Sequence, residues 1–167
     1  PLWMLLPETY TPTALYVNTQ RAPESIDQYR IAKIKKKKGD WDTYIQNMEL
    51  VLRAEPQSAG VYYYIGEAYR FKGNATKALA AYNDALEVNP EFGAAYLGLA
   101  RGRLMQDPNT NVEILFNEAI DRDPNFGDIY LERARYFINR NDPEAALEDL
   151  EKADQLMPES PAVYLVY

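Results

Sequence analysis

The sequence predicts an all-α protein, a right-handed solenoid in which pairs of antiparallel helices stack one after another. Two observations carry this prediction. The first is a set of four prolines 34 residues apart, preceded by segments that align without a gap: Pro56, Pro90, Pro124 and Pro158. The second is that each segment holds two stretches of about 14 residues with apolar side chains at helical spacing. Because a fixed period of this length marks stacked repeats, the chain divides into four units: 25–58, 59–92, 93–126 and 127–160.

Equivalent positions of the units carry side chains of similar size. The eighth position is always small, where two helices must approach closely, and the twenty-fourth position is always large, where a gap must be filled. The small residues are Ala32, Gly66, Ala100 and Ala134, and the large residues are Met48, Tyr82, Phe116 and Leu150. One helix pair cannot bury its apolar face alone, so the units are expected to stabilise one another by stacking.

The second unit holds the most specific pattern. Residues 62–90 read YYYIGEAYRFKGNATKALAAYNDALEVNP, with Gly66, Tyr69, Ala78, Tyr82 and Pro90 at signature spacings. This pattern resembles the tetratricopeptide repeat family, and the resemblance covers residues 25–160 and the start of a fifth unit. It implies that the first helix of each unit, helix A, lines a concave groove, while helix B forms much of the outside. It also implies a protein-binding scaffold rather than an enzyme.

Short polar and proline motifs predict where the helices begin. An aspartate caps a helix well when proline occupies the first helical turn. We therefore expect helices to start at Asp107-Pro108, at Asp142-Pro143 and at Ser160-Pro161, and Asn74 to cap the second helix of its unit.

The two ends of the chain differ from the repeats. Residues 1–24 contain Pro7, Pro12 and Pro23 and are predicted to form an extended linker or arm. Two interpretations of it stay open: it follows an upstream membrane helix, or it lies in a groove of its own or of a neighbouring copy. Residues 161–167 are predicted to be the truncated first helix of a fifth unit, with an apolar open end.

Composition excludes most catalytic chemistry. The chain has no cysteine and no histidine, which removes cysteine nucleophiles, histidine bases, disulfides and the common zinc sites. The dense carboxylates are expected on the solvent face of helix B. We therefore expect no enzyme activity, no cofactor and no metal site.

Charge is unevenly distributed along the repeats. The net charge is −7, but the four predicted A helices together carry +9 and the four B helices −13. The sequence thus predicts a basic inner strip that attracts an acidic or mixed apolar peptide. Nucleic acid is not expected as a partner, because the chain is acidic overall and no aromatic platform surrounds Lys35–Lys38.

The resemblance assigns groove-facing positions to helix A of each unit, where aromatic, apolar and basic residues alternate. Those residues are Tyr29, Lys33, Lys36 and Lys37 in the first unit; Tyr63, Glu67, Arg70 and Phe71 in the second; Leu97, Arg101, Leu104 and Met105 in the third; and Leu131, Arg135, Ile138 and Asn139 in the fourth. In the fourth unit Arg133 takes an apolar slot, and Asp149 stands sixteen residues later. A subset of the family pairs these positions, so we expect an Arg133–Asp149 ion pair.

Two functions from different classes follow. The leading hypothesis is a non-catalytic scaffold that binds an extended peptide in the groove. The alternative is a membrane-tethered assembly module that self-associates through its open apolar end, with a weak homodimer formed there or by an arm-in-groove contact. The location is open in the same way: membrane-anchored with the repeats outside the bilayer, or cytoplasmic.

Overall fold

A computed structural model describes residues 39–158 and 160–166. The predicted arm, residues 1–24, and the predicted first helix, residues 25–38, lie outside the described residues. The described helices are α1 (Trp41–Ala54), α2 (Ala59–Phe71), α3 (Ala75–Val88), α4 (Gly93–Gln106), α5 (Glu113–Arg122), α6 (Gly127–Asn139), α7 (Pro143–Leu156) and α8 (Pro161–Tyr164).

The helices form stacked antiparallel pairs, which confirms the all-α prediction. The pairs α2–α3, α4–α5 and α6–α7 fall within the units 59–92, 93–126 and 127–160. Each second helix also packs against the first helix of the next unit, and α3 and α4 share a large contact. None of the helices within the described residues is long and apolar enough to cross a membrane.

Two expected helix caps are present. The Asn74 side chain accepts a hydrogen bond from the Lys77 N–H at 3.0 Å, and α3 begins at the next residue. The Asp142 carboxylate accepts from the Ala145 N–H at 3.1 Å, and Pro143 occupies the first turn of α7. Each side chain satisfies a backbone donor that would otherwise lack a partner at a helix start.

The expected helix start at Asp107-Pro108 is wrong. Asp107 follows the last residue of α4, and its carboxylate accepts from the Asn109 N–H at 2.9 Å, which makes a turn. The chain then continues in a loop, where Asn111 accepts from the Glu113 N–H at 3.0 Å before α5 begins. Aspartate stabilises such turns as readily as helix starts. Because α5 begins only after the loop, it has 10 residues, whereas α3, the second helix of the preceding unit, has 14.

The core runs through the stack between the two helices of each pair. The large residues of the twenty-fourth position are its centre, and Met48, Tyr82 and Phe116 are 0–1% exposed. Tyr82 lies between two glycines of successive first helices. A Cβ on Gly98 would stand 2.6 Å from the Tyr82 ring, and one on Gly66 would be closer still. Both glycines are therefore required by the close approach of the ring.

Candidate functional site on the inner helices

The first helices of three successive units, α2, α4 and α6, carry the candidate site, and we call them the inner helices. Each carries charged side chains and one exposed apolar side chain. The ninth position of all three units is charged, and the exposed apolar residue stands in the last turn of the helix, at the thirteenth position in α2 and α4 and at the twelfth in α6.

Charged side chains form a continuous chain across all three inner helices. Glu67 accepts from Nε and Nη2 of Arg70 at 3.0 and 2.8 Å, and its Oε2 lies 3.6 Å from Nη1 of Arg101. Nη2 of Arg101 donates to Glu132 at 3.2 Å, and Nη1 of Arg135 donates to the same oxygen at 3.0 Å. We call these five residues the arginine–glutamate ladder. It joins three units, α2 to α4 by the Arg101–Glu67 ion pair and α4 to α6 by the charge-assisted hydrogen bond from Arg101 to Glu132.

Tyr82 connects the ladder to the core. Its ring is 0% exposed, and its hydroxyl donates to Glu67 Oε1 at 2.5 Å. The equivalent residues of the other units, Met48, Phe116 and Leu150, have no hydroxyl. The ladder is thus anchored to the core of the second unit, because a ring fixed between two glycines fixes the oxygen it bonds.

Electrostatics keep Glu67 and Arg101 ionised. Burial alone would raise the pKa of Glu67, but the bonds from Arg70, the charge of Arg101 and the Tyr82 hydroxyl together hold that pKa below its ordinary value. Burial alone would lower the pKa of Arg101, but Glu132 and Glu67 raise it above its ordinary value. The pKa of Tyr82 is raised by burial and by Glu67, so the hydroxyl stays a neutral donor.

Asp128 lies beside the ladder, in the first turn of α6. Burial raises the pKa of its carboxyl, Arg101 opposes that shift, and Glu132 and Glu67 add to it. Unlike the two glutamates, Asp128 accepts no hydrogen bond from the residues that the structure describes. It is a half-buried carboxylate next to a network whose cations already bond elsewhere.

A row of exposed apolar side chains accompanies the ladder. Phe71, Met105 and Ile138 stand in the last turns of the inner helices and are 53%, 38% and 41% exposed; we call them the apolar row. The Phe71 ring stacks on Trp41 with centroids 4.9 Å apart, and the Arg70 guanidinium lies 4.4 Å from the Phe71 centroid. The row and the ladder therefore touch at Arg70 and Phe71.

The structure places the residues expected in the groove in different surroundings. Glu67, Arg70, Arg101 and Arg135 meet in the ladder, and Phe71, Met105 and Ile138 belong to the apolar row. Leu104 is partly buried against the core, and Asn139 is exposed. Tyr29, Lys33, Lys36 and Lys37 lie outside the described residues.

Three expected groove residues need a correction. Tyr63, Leu97 and Leu131 are 7%, 0% and 3% exposed and belong to the core. They share the fifth position of their units, where the side chain packs between helices instead of facing the groove. The Tyr63 ring, for example, contacts Phe92 edge-on at 5.7 Å between centroids.

The expectation of a basic inner strip also needs a correction over the described residues. Each ladder arginine is bonded to a glutamate, and with Asp128 the group holds three cations and three carboxylates. Glu132 and Asp128 were not among the residues predicted for the groove. For Glu132 the available signal was Arg135, which stands three residues later on the same helix face. For Asp128 the available signal was its place at the second position of the fourth unit.

Arg133 and Asp149 form a bidentate contact between α6 and α7. Nε and Nη2 of Arg133 donate to the two carboxylate oxygens at 2.8 and 2.7 Å, and Asp149 is 3% exposed. Nη1 of Arg133 reaches back to Asn117 on α5 at 2.8 Å. Burial would lower the pKa of Arg133, but the bonds and charge of Asp149 raise it.

Comparisons with known proteins identify one unit by sequence and the whole stack by fold. The family model for the tetratricopeptide repeat matches residues 59–92. The second unit is a tetratricopeptide repeat. No curated protein sequence matches the chain. Solved structures share its fold at low identity.

Three of these structures are informative. TTC0263, a thermophilic tetratricopeptide repeat protein of Thermus thermophilus, superposes with a TM-score of 0.74 at 15% identity, over 86% of this chain and 81% of that one. YrrB, described as having an unusual peptide-binding site, gives a TM-score of 0.62 at 19% identity over 86% and 75% of the chains. MamA gives 0.61 at 22% identity over 82% of each. At these identities the likeness shows the fold.

Proposed function

We propose that this tetratricopeptide repeat protein is a non-catalytic scaffold that binds an extended segment of another protein along the inner helices. Members of the family are in general protein-interaction scaffolds. The observation that carries the proposal is the double lining of α2, α4 and α6. The ladder and the apolar row run side by side across three units, and together they offer what an extended peptide needs.

The apolar row supplies the contacts that favour binding. Covering Phe71, Met105 and Ile138 removes exposed apolar surface from water, and this is worth about 25 cal/mol for each Å² buried. A solenoid repeats its surface once per unit, so side chains at regular intervals along a partner meet successive members of the row.

The ladder supplies polar partners for the segment's backbone. Arg70 uses Nε and Nη2 on Glu67, and Arg135 uses Nη1 on Glu132. The other guanidinium N–H groups of these two arginines can donate to carbonyl groups of the segment. Because the ladder arginines already pair with glutamates, these contacts favour a mixed apolar segment over a strongly acidic one.

A peptide-display selection against the whole chain tests the proposal. Selected peptides are labelled with fluorescein and titrated by anisotropy against the wild type, the double variant Met105→Ser/Ile138→Ser, and the control Ile114→Ser/Leu147→Ser. The control removes two apolar residues of the second helices that are 75% and 48% exposed. We expect the inner pair to weaken binding about tenfold or more, which is at least about 1.4 kcal/mol, and the control to leave it unchanged. Equal effects of the two double variants, or a selection that yields no binder, would reject the groove.

A second candidate function is self-association through the apolar end at α8. Tyr164 and Leu165 are 60% and 85% exposed there, and an apolar surface of this kind favours contact with a second apolar surface. Sedimentation equilibrium of the wild type and of Leu165→Ser tests it. We expect a concentration-dependent dimer that Leu165→Ser weakens. A dimer of unchanged strength, or a monomer at all concentrations, would reject this interface.

A further inference from the structure

We propose that Asp154 and Tyr164 pair between two copies of this chain, with the Tyr164 hydroxyl of each copy donating a hydrogen bond to the Asp154 carboxylate of the other. We call these two residues and Leu165 the end surface. The inference rests on the second candidate function, self-association at α8, and names the polar contacts that would fix how the two copies meet.

Asp154 stands where the other three units have an apolar residue. Their twenty-eighth positions hold Leu52, Leu86 and Ile120, which are partly buried against the core. Ile120, on α5, also packs against the core cluster of the following unit, which consists of residues of α6, α7 and α8. The twenty-eighth position therefore faces the next helices in the stack, and by this equivalence Asp154 lies on the side of α7 that faces α8.

The Asp154 carboxylate lacks a hydrogen-bond donor. Its Oδ1 is buried, and none of the described residues donates to it or forms an ion pair with it. Asp149, five residues earlier on the same helix, accepts two bonds from Arg133. A carboxylate oxygen that is shut off from water without a donor costs free energy, and a donor from outside the chain removes that cost. Because Asp154 is only half-buried, part of its side chain stays open to such a donor.

Tyr164 is a free donor on the same surface. It occupies the fourth position, where Tyr96 and Tyr130 donate to the carbonyls of the prolines six residues before them, at 3.2 and 3.0 Å. Tyr164 makes no such bond to Pro158 or to any other residue that the structure describes. Its side chain is 60% exposed, whereas Tyr130 is 8% exposed. The hydroxyl is therefore available to a partner.

A surface with one free donor and one free acceptor is complementary to itself. In a two-fold dimer the same patch meets its own copy, so the Tyr164–Asp154 contact forms twice, and hydrogen bonds to an ionised acceptor are the stronger kind. Leu165, which is 85% exposed, adds apolar surface that the same contact covers. A purely apolar partner would cover Leu165 and leave Asp154 without a donor, so a second copy fits the end surface better.

Sedimentation equilibrium of the whole chain and its variants tests the pairing. The variants are Tyr164→Phe, Asp154→Ala and the double variant, and the controls are Tyr96→Phe and Asp121→Ala, which remove a hydroxyl on α4 and an exposed carboxylate on α5. The runs use about 0.15 M salt, where repulsion between the two acidic chains is largely screened. Circular dichroism melts check that every variant folds.

We expect Tyr164→Phe and Asp154→Ala each to weaken the dimer about tenfold or more, and the controls to leave it unchanged. Either single variant removes both bonds, so the double variant should be no weaker than the singles. A mixture of Tyr164→Phe and Asp154→Ala chains keeps one of the two bonds and should associate more tightly than Tyr164→Phe does alone. An interface held by apolar contact alone would not weaken in Tyr164→Phe, because that variant is more apolar.

The inference is overturned if Tyr164→Phe or Asp154→Ala dimerises as strongly as the wild type, or if the mixture gains nothing over Tyr164→Phe. If Leu165→Ser weakens the dimer in that case, the apolar end remains the interface and only the pairing is wrong. A chain that stays monomeric at every concentration rejects the pairing together with the second candidate function.

Discussion

The third unit is joined to its two neighbours in different ways. On one side, α3 and α4 meet through the Tyr82 ring, which is closed in by Gly66 and Gly98. On the other side, α5 is short, and α5 and α6 share much less contact. There the inner helix α6 reaches back with polar groups.

These groups bind the loop and the short helix of the preceding unit. The Tyr136 hydroxyl donates to Asn111 at 3.2 Å, and Nη2 of Arg140 donates to the carbonyls of Asn109 and Thr110, both at 2.8 Å. Arg133 adds its bond to Asn117. Hydrogen bonds to the loop thus replace part of the contact that α5 and α6 do not make.

The two interfaces of the third unit show that units of the same length can be joined by different kinds of contact. We call such an interface between units a joint. An apolar joint needs small residues at set positions and tolerates little change of volume. A polar joint tolerates an irregular loop, because backbone carbonyls can be reached by a long arginine. Only the apolar joint also anchors the ladder, since Tyr82 touches both the core and Glu67.

The largest expected effect is on the polar side. Asp149→Ala leaves the half-buried Arg133 without its carboxylate, and breaking a buried pair costs about 3–5 kcal/mol. The free energy of unfolding, measured by urea denaturation, should fall by several kcal/mol, and amide exchange should accelerate first in α6 and α7. Glu148→Ala, which removes an exposed carboxylate from the same helix, is the control. A loss no larger than that of the control would mean that the pair does not stabilise this unit.

A smaller effect is expected on the apolar side. Gly98→Ala pushes a methyl group into a ring that cannot move, and overpacking of this kind costs about 1–3 kcal/mol. Gly102→Ala on the same helix is the matched control, because its Cβ would meet the end of the Leu79 side chain at 2.7 Å, which can turn away. Adding Tyr82→Leu should recover part of the loss from Gly98→Ala. If the two losses simply add, the ring is not the cause.

Removal of the Tyr82 hydroxyl should cost about 1 kcal/mol and loosen the ladder. In Tyr82→Phe the pKa of Glu67 should rise toward its ordinary value, because one of the donors that lower it is gone. A lowered folded-state pKa gives stability that is full above the unfolded pKa and is lost as the pH falls through the folded pKa. The variant should therefore lose less stability on acidification than the wild type. Carboxyl-carbon NMR titration measures the pKa directly, and an unchanged Glu67 pKa would show that the anchor is ineffective.

The weakest expected effect concerns the loop between α4 and α5. Arg140→Met keeps the length of the side chain and removes both bonds to the carbonyls of Asn109 and Thr110. Because Arg140 is exposed, the cost should stay below about 1 kcal/mol. Amide exchange should nevertheless accelerate in the loop 107–112, with α2 and α3 unaffected. Unchanged loop exchange would mean that Arg140 does not hold the joint.

The 34-residue repeat predicted the helices correctly where the residues at the helix starts and in the packing positions also favoured them. The small residues of the eighth position and the large residues of the twenty-fourth mark real contacts, such as Gly66 with Tyr82. The start of α5 was missed, because an aspartate before proline can accept from the N–H two residues on and make a turn, as Asp107 does, or from the N–H three residues on and cap a helix, as Asp142 does. The dipeptide aspartate-proline occurs in the turn at Asp107 and in the helix start at Asp142, so it cannot distinguish a turn from a helix start.

The groove was harder to predict than the fold. Summing charges for each helix treats Arg101 as available, although Glu67 and Glu132 on two other helices hold it. The groove positions taken from the repeat family included Tyr63 and Leu97. Whether a side chain at such a position faces solvent or the next helix depends on how closely successive helices pack. Such pairings depend on distances between units, which a single sequence does not contain.

The most direct test of the groove is an NMR titration of the ¹⁵N-labelled chain with a display-selected peptide. We expect the amide signals that shift to lie on α2, α4 and α6, near the ladder and the apolar row, and the Nε–H signals of Arg70 and Arg135 to shift with them. Shifts confined to α3, α5 and α7, or to the end at α8, would contradict it and move the binding surface elsewhere.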